Sequence, residues 1–356
     1  MTDRAALRTP FCDLVGTDSP IVQTGMGWVA YPPLAAAASG AGALGIVASA
    51  MMTFDDLVKA IAEVQAATDR PFGVNLRADA PDASERIALM AREGVRVVSF
   101  AQAPRPELIA QAKESGMVVV CSIGARRHAE KVAGWGADAV IVQGGEGGGH
   151  TGQVPTTLLL PQVVDAVGDR LAVIGAGGFF DGRGLVAALA YGAQGIAMGT
   201  RFLLTRESPV APAVKDVYLA KSVTDTVVTT QVDGVPHRVL RTELVDTLER
   251  SGHVASLWRA ARNAVAFKRL SGARWADVIR EGMAMKRAQE LTWSQVVMAA
   301  NTPMLIKLAL VDGRPDIGVM ASGQVVGLIG DLPSCAELVE RIVAEAVEVL
   351  DRLSAG

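Results

Sequence analysis

The chain has 356 residues, half of them hydrophobic, enough for one large domain and a smaller accessory one. Its formal charge of -3 offers no general electrostatic basis for binding nucleic acid. Aromatic residues make up only 4% while Gly and Ala abound, a balance that suits closely packed βα units.

Cys12, Cys121 and Cys335 are odd in number and far apart, with no CxxC pair or metal-ligand spacing, so reduced thiols in a cytoplasmic protein are expected. The segment 1–16 carries Asp3, Arg4, Arg8 and Asp13 around no apolar core and does not read as a signal peptide. Residues 29–52 are uncharged, but Pro32, Pro33, Gly40, Gly42 and Gly45 divide them into helix, turn and strand, so no membrane span is expected.

In chain order, a first strand at 20–23 ends at the turn Thr24-Gly25-Met26-Gly27. A small-residue helix over 34–39 leads to a strand at 44–47, an amphipathic helix over 55–67 and a strand at 72–76, with Asn75 near its end. The unit then repeats: helices are expected over 83–93, 106–115, 125–134, 157–167 and 182–191. Strands are expected at 95–100, 117–121, 139–142, 173–176 and 195–198. Eight strands that are apolar on both faces, alternating with helices in units of roughly 25 residues, predict an α/β fold, a (β/α)8 TIM barrel. An open doubly wound sheet is the alternative; the glycines after the last two strands favour closure.

Beyond Arg201 the pattern changes. Residues 214–239 mix strand-like runs such as 227–230 with a turn at Asp233-Gly234, and 243–287 hold Arg-rich helical stretches with Trp258 and Trp275. This predicts a smaller, mostly helical lid. Ser322-Gly323-Gln324 reads as a turn, and 336–353 as an amphipathic helix returning to the barrel. The expected division is 1–205 barrel, 206–304 lid and 305–356 a C-terminal segment packing on the barrel.

The stretch Val140 to Gly152 draws the most chemistry. A β-branched run stops at glycines, and His150 stands near their end. Glycines admit close backbone approach to a ligand, and α/β barrels place their chemistry at strand ends. The pairs Gly177-Gly178 and Gly199-Thr200 follow the seventh and eighth strands, where such barrels bind phosphate. Plain turn glycines are the competing reading. The histidines His128, His150, His237 and His253 are scattered, and neither a metal cluster, a Walker A loop nor a GxSxG elbow occurs. A phosphate-bearing cofactor doing redox work is the economical reading.

The turn Gln23–Gly27, the loop Gln143–Gly152, the Gly177-Gly178 pair and Met198-Gly199-Thr200-Arg201-Phe202 together resemble the nitronate monooxygenase family, which includes flavin-dependent enoyl-acyl-carrier-protein reductases. The resemblance covers nearly the whole chain and implies an FMN-binding TIM barrel with a lid. The uninterrupted 145–152 run, the 177–184 stretch and residues 228–230 and 236–242 look like one branch of it, the actinobacterial flavin enzymes of steroid ring C/D breakdown. That likeness implies dehydrogenation of a hydroxy-hydrindane carboxyl-CoA thioester. Carried over, Gly25 and Met26 would line the isoalloxazine, and Asn75 and Gln143 would bond its polar edge or ribityl chain. Gly148 would lie in the cofactor loop, while Gly177, Gly178, Gly199 and Thr200 would hold the phosphate. His150 would face the substrate as catalytic base, with hydride passing to flavin N5.

His237 and Arg238 would meet a CoA phosphate or substrate oxygen, or else form a solvated lid face. Glu146 reads as a second acid or base, or more simply as an exposed loop carboxylate; Trp28 and Tyr31 as pocket walls or packing. The other activities compatible with this reading are nitronate monooxygenase and NAD(P)H-dependent enoyl-thioester reductase; a non-catalytic phospho-ligand-binding barrel is the alternative outside catalysis. The expected partner is a small molecule, a CoA thioester, with no nucleic acid or membrane; a homo-oligomer is compatible.

Overall fold

The computed structural model describes residues 4–101, 104–250 and 301–355. The Arg-rich stretch around Trp258 and Trp275, and His253, lie outside them. The chain divides into two compact units. One comprises 1–147, 152–209 and 328–356; the other comprises 148–151 and 210–327.

The first unit is a closed barrel of eight parallel strands. They are β1 (Ile21–Gln23), β2 (Leu44–Ala48), β3 (Phe72–Leu76), β4 (Val97–Phe100), β5 (Val118–Ile123), β6 (Ala139–Gln143), β8 (Ala172–Ala176) and β9 (Ile196–Met198). Pairing of Ile21 with Ile196 and of Val22 with Leu44 closes the ring, which settles the choice against an open sheet. Helices α1 (Pro10–Val15), α2 (Pro32–Gly40), α3 (Phe54–Ala67), α4 (Ala83–Arg92), α5 (Pro106–Glu114), α6 (Arg126–Gly134), α7 (Thr156–Val167), α8 (Gly182–Ala190) and α9 (Thr200–Leu203) accompany these strands.

The strands are buried on both faces because helices cover the outside and side chains fill the inside. Val22, Ile46, Val97, Val120, Ile141 and Ile174 meet in that interior together with Phe11 and Val15. The short α1 therefore plugs the barrel, an element that the apolar-poor N-terminal sequence did not suggest.

Helix α13 (Cys335–Ser354) completes this unit. It starts with a capping box in which Ser334 and Glu337 satisfy each other's backbone N–H. Its apolar stripe, Leu338, Ile342, Val343 and Ala346, is buried, and it packs on α8 nearly backbone to backbone. A Cβ on Gly182 would lie 2.6 Å from Ile342 O and 2.8 Å from Glu345 C. Gly182→Ala should therefore destabilise the protein by about 1–3 kcal/mol through overpacking, read as a lower melting temperature.

The second unit contains β7 (Gly149–His150), α10 (Pro212–Leu219), β10 (Thr226–Thr229), β11 (His237–Leu240), α11 (Glu243–Arg250) and α12 (Asn301–Leu310). Its three strands form one antiparallel sheet in the order β10-β11-β7. Val232, Val239, Val245, Leu248, Leu305 and Val319 make its core. Residues 212–219 are helical where β-branched Val214 and Val217 gave no helical sign. The turn at 322–324 opens a 3-10 helix, Gln324–Leu328. Among the described residues no helix is long and apolar enough to cross a membrane.

Candidate active site

In the barrel unit, the residues singled out by sequence gather at the C-terminal ends of the strands. Register sets Ala176 level with Ala197, so Gly177-Gly178 and Met198-Gly199 leave adjacent strands at the same height. Gly177 and Gly178 both take positive φ, 95° and 83°, a region open to glycine at no steric cost. A Cβ on Gly177 would stand 3.0 Å from Thr156 Oγ1 and 3.1 Å from Gly144 O, whereas at Gly178 it would meet only Glu146 Cβ, at 3.8 Å. Thr200 is buried at the start of α9, behind Gly199.

The turn after β1 reaches the end of β3 on one side and the β9 rim on the other. A Cβ on Gly25 would lie 2.6 Å from Asn75 Cβ, and one on Gly199 would lie 3.4 Å from Met26 Sδ. Asn75 is buried at the end of β3 and donates from Nδ2 to Ser99 Oγ at 3.3 Å. Gln143 ends β6 half-buried, and the glycine at 147 lets the loop lie on its amide, where a Cβ would be 2.6 Å from Nε2. Glu146 is committed locally: its carboxylate accepts from Thr156 N at 3.0 Å and Thr156 Oγ1 at 2.7 Å, which anchors the loop to α7. Trp28, among the described residues the one non-glycine at positive φ (66°), buries an indole N–H with no hydrogen-bond partner. Such a donor is expensive to leave unmet and invites a ligand oxygen. Cys121, by contrast, is buried and its thiol is pushed up to about 12 by desolvation and by Asp138, so it is a packing residue.

In the second unit the glycine loop supplies β7, whose His150 stands opposite His237 of β11. The two rings lie 4.7 Å apart, centroid to centroid. Both face Asp233, which the β10–β11 loop brings back: Oδ2 lies 2.7 Å from His150 Nε2 and 3.4 Å from His237 Nδ1. Thr302 Oγ1 donates to the same oxygen at 3.0 Å, and Val235 N donates to Oδ1 at 3.2 Å. The His150 side chain is 57% exposed while Asp233 is 3%.

Sequence spacing showed four scattered histidines; strand pairing corrects this by bringing His150 and His237 together. With Asp233 they offer one donor atom each within 4.8 Å, the ligand types of a two-histidine, one-carboxylate metal set. Imidazole–carboxylate hydrogen bonds account for the same distances. Asp233 and Thr302 were not singled out by sequence, because Asp-Gly reads first as a turn and the residues are 69 apart. His237 is only 2% exposed, so a phosphate contact gives way to a buried role beside Asp233. Arg238 Nη1 donates to Thr226 Oγ1 at 3.0 Å. Gly148 serves close packing inside this unit: a Cβ there would lie 2.6 Å from Gly323 N.

Burial pushes the Asp233 carboxyl upward, but hydrogen bonds from His150 and His237, with their charge, outweigh it and leave it well below the usual carboxylate range. His237 is shifted down, by burial first and by His150 second, against the pull of Asp233. For both groups the unfolded chain holds protons more tightly than the folded one. Their stabilisation is present above about pH 6.5 for His237 and about pH 4 for Asp233, and is lost as pH falls through each folded value. Wild-type melting temperature should therefore drop as pH falls below about 6.5, and His237→Asn should flatten that limb by up to about 1.4 kcal/mol per pH unit. Calorimetry over pH 5–8 reads it directly.

A model of the nitronate monooxygenase family matches residues 8–345. Two proteins named (3aS,4S,5R,7aS)-5-hydroxy-7a-methyl-1-oxo-octahydro-1H-indene-4-carboxyl-CoA dehydrogenase are similar over essentially full length. That of Mycobacterium tuberculosis is 62% identical over 98% of this chain and 99% of its own, and that of Rhodococcus jostii 59% over 99% of each. The solved structure of FabK from Thermotoga maritima superposes with a TM-score of 0.78 at 35% identity, covering 98% of this chain and 99% of its own. With the closed barrel and its glycine-lined rim, these matches establish the chain as an oxidoreductase of the nitronate monooxygenase family.

Proposed function

We propose that this protein is an FMN-dependent dehydrogenase acting on a hydroxy-hydrindane carboxyl-CoA thioester, with His150 as the base. The observation that carries the substrate class is the 62% and 59% identity, over full length, to two enzymes named for that reaction. Identity of that extent far exceeds what a shared barrel requires.

The barrel rim fits a phosphorylated flavin on two grounds. Gly177 and Gly178 hold a backbone that leaves no room for a side chain at 177 and open space at 178. The Trp28 indole N–H is a buried donor with no acceptor among the described residues. In this reading the backbone N–H groups at 177–178 and 199 and the Thr200 hydroxyl hold the phosphate. Gly25 and Met26 lie along the ring system, with Asn75 and Gln143 offering amide groups to its polar atoms. Bound FMN would supply the acceptor for two electrons and a proton's worth of hydrogen.

The chain's own chemistry rests on His150. A proton α to a thioester carbonyl is acidified by that carbonyl, which takes up the charge left when it is removed. An imidazole, whose ordinary protonation equilibrium lies nearest neutral pH among side chains, suits its removal. Three peptide units separate His150 from the barrel loop residue Gly147, so the base is tethered to the flavin loop by covalent structure. The test is anaerobic mixing of the yellow holoenzyme with the thioester: bleaching supports the assignment. Bleaching by an alkyl nitronate alone points to the monooxygenase reaction, and bleaching by NADH alone to the reductase.

A further inference from the structure

The oxygen Asp233 Oδ2 is an unusual point of convergence. It accepts from Thr302 Oγ1 at 3.0 Å and faces His150 Nε2 at 2.7 Å and His237 Nδ1 at 3.4 Å. A carboxylate buried to this degree is costly unless it is paired and hydrogen-bonded. Turn formation alone does not call for it, since the Asx contact to Val235 N uses the other oxygen, Oδ1. The costly oxygen is aimed at the one imidazole of the cluster that is largely exposed.

We propose that Asp233 is the positioning residue for His150, fixing its Nε2–H tautomer so that Nδ1 is the atom that takes the substrate proton. This rests on the reading of His150 as base. An anionic Asp233 accepts from Nε2–H, and the neutral ring then carries its lone pair on Nδ1. The proton leaves the substrate carbon for Nδ1, the C–H electron pair stays with the substrate, and Nε2–H remains in place. Asp233 stays ionised throughout and stabilises the imidazolium at 2.7 Å. Thr302 and His237 hold the carboxylate in that orientation. His237, buried and kept neutral, adds no competing positive charge.

Two measurements on the holoenzyme test this. Nitrogen-15 NMR of the imidazoles in the unaltered protein should show neutral His150 protonated at Nε2 and unprotonated at Nδ1. The opposite tautomer overturns the proposal without any variant having to fold. Asp233→Asn should keep flavin bound and KM within about three-fold. It should slow single-turnover flavin reduction about 10²–10⁴-fold, the range expected when a base loses its orienting carboxylate. It should also move the acid limb of the pH–rate profile to lower pH, since loss of the anion makes the imidazole easier to deprotonate. Thr302→Val should give a smaller shift in the same direction. A profile and rate superimposable on wild type in Asp233→Asn, beside a slow His150→Ala, would remove the positioning role while leaving the base assignment intact. A fast His150→Ala would instead remove the base assignment itself.

Discussion

His150→Ala should slow anaerobic flavin reduction by the thioester about 10²–10⁴-fold, while the purified protein stays yellow and folded. The expected split follows from placement. His150 is an exposed side chain on β7, whose other residue, Gly149, adopts positive φ; without its ring the buried Asp233 carboxylate still accepts from Thr302 Oγ1 and Val235 N and faces His237 Nδ1. Residues assigned to the cofactor belong instead to the barrel rim. Loss of the imidazole therefore removes a proton acceptor without dismantling the cradle. Substrate affinity should change little, because a base removes a barrier in the transition state more than it binds the ground state. An alanine variant that reduces its flavin at the wild-type rate would contradict the assignment, whatever its steady-state turnover.

Gly177→Ala should weaken FMN binding at least ten-fold and yield pale or colourless protein. Three effects act together. Alanine resists φ of 95°, at a cost of roughly 1–2 kcal/mol. Its methyl would stand 3.0 Å from Thr156 Oγ1 and 3.2 Å from Gly147 N, forcing apart α7 and the loop that Glu146 anchors. Any tilt of the 177–178 peptides also turns their N–H groups away from where the proposed phosphate would sit. The strain weakens binding to the extent that the apoprotein relieves it by shifting the loop and flavin binding restores it, and about 1.4 kcal/mol so restored is a factor of ten in affinity. Equilibrium titration of apoprotein with FMN, monitored by flavin fluorescence, reads it. Gly182→Ala serves as the control: it too adds a methyl to a barrel glycine, but against α13, so it should lower stability and spare the flavin.

The barrel was legible because its strands are buried on both faces, which writes them as unbroken apolar runs such as Leu44–Ala48 and Ala172–Ala176, each ended by glycine or a polar residue. Helix 335–354 was legible from its stripe for the same reason. The cluster in the second unit was not. β7 is two residues long and has no apolar period; it is a strand only because β11 pairs with it. The meeting of His150, Asp233 and Thr302 depends on contacts spanning 83 and 69 residues, and no local pattern encodes them. His150 itself stood out by chemistry, as a titratable side chain in a run of glycines. Its partners did not, because an Asp before Gly and a Thr at the start of a helix both have ordinary local roles. Helix α10 was hidden by β-branched residues whose packing overrides their weak helical preference.

The most direct measurement is stopped-flow absorbance of the oxidised holoenzyme mixed anaerobically with the hydroxy-hydrindane carboxyl-CoA thioester. Bleaching of the flavin band in a single turnover, slowed about 10²–10⁴-fold in His150→Ala, is the predicted result. An unchanged flavin spectrum with that thioester, alongside rapid bleaching by an alkyl nitronate, would contradict it.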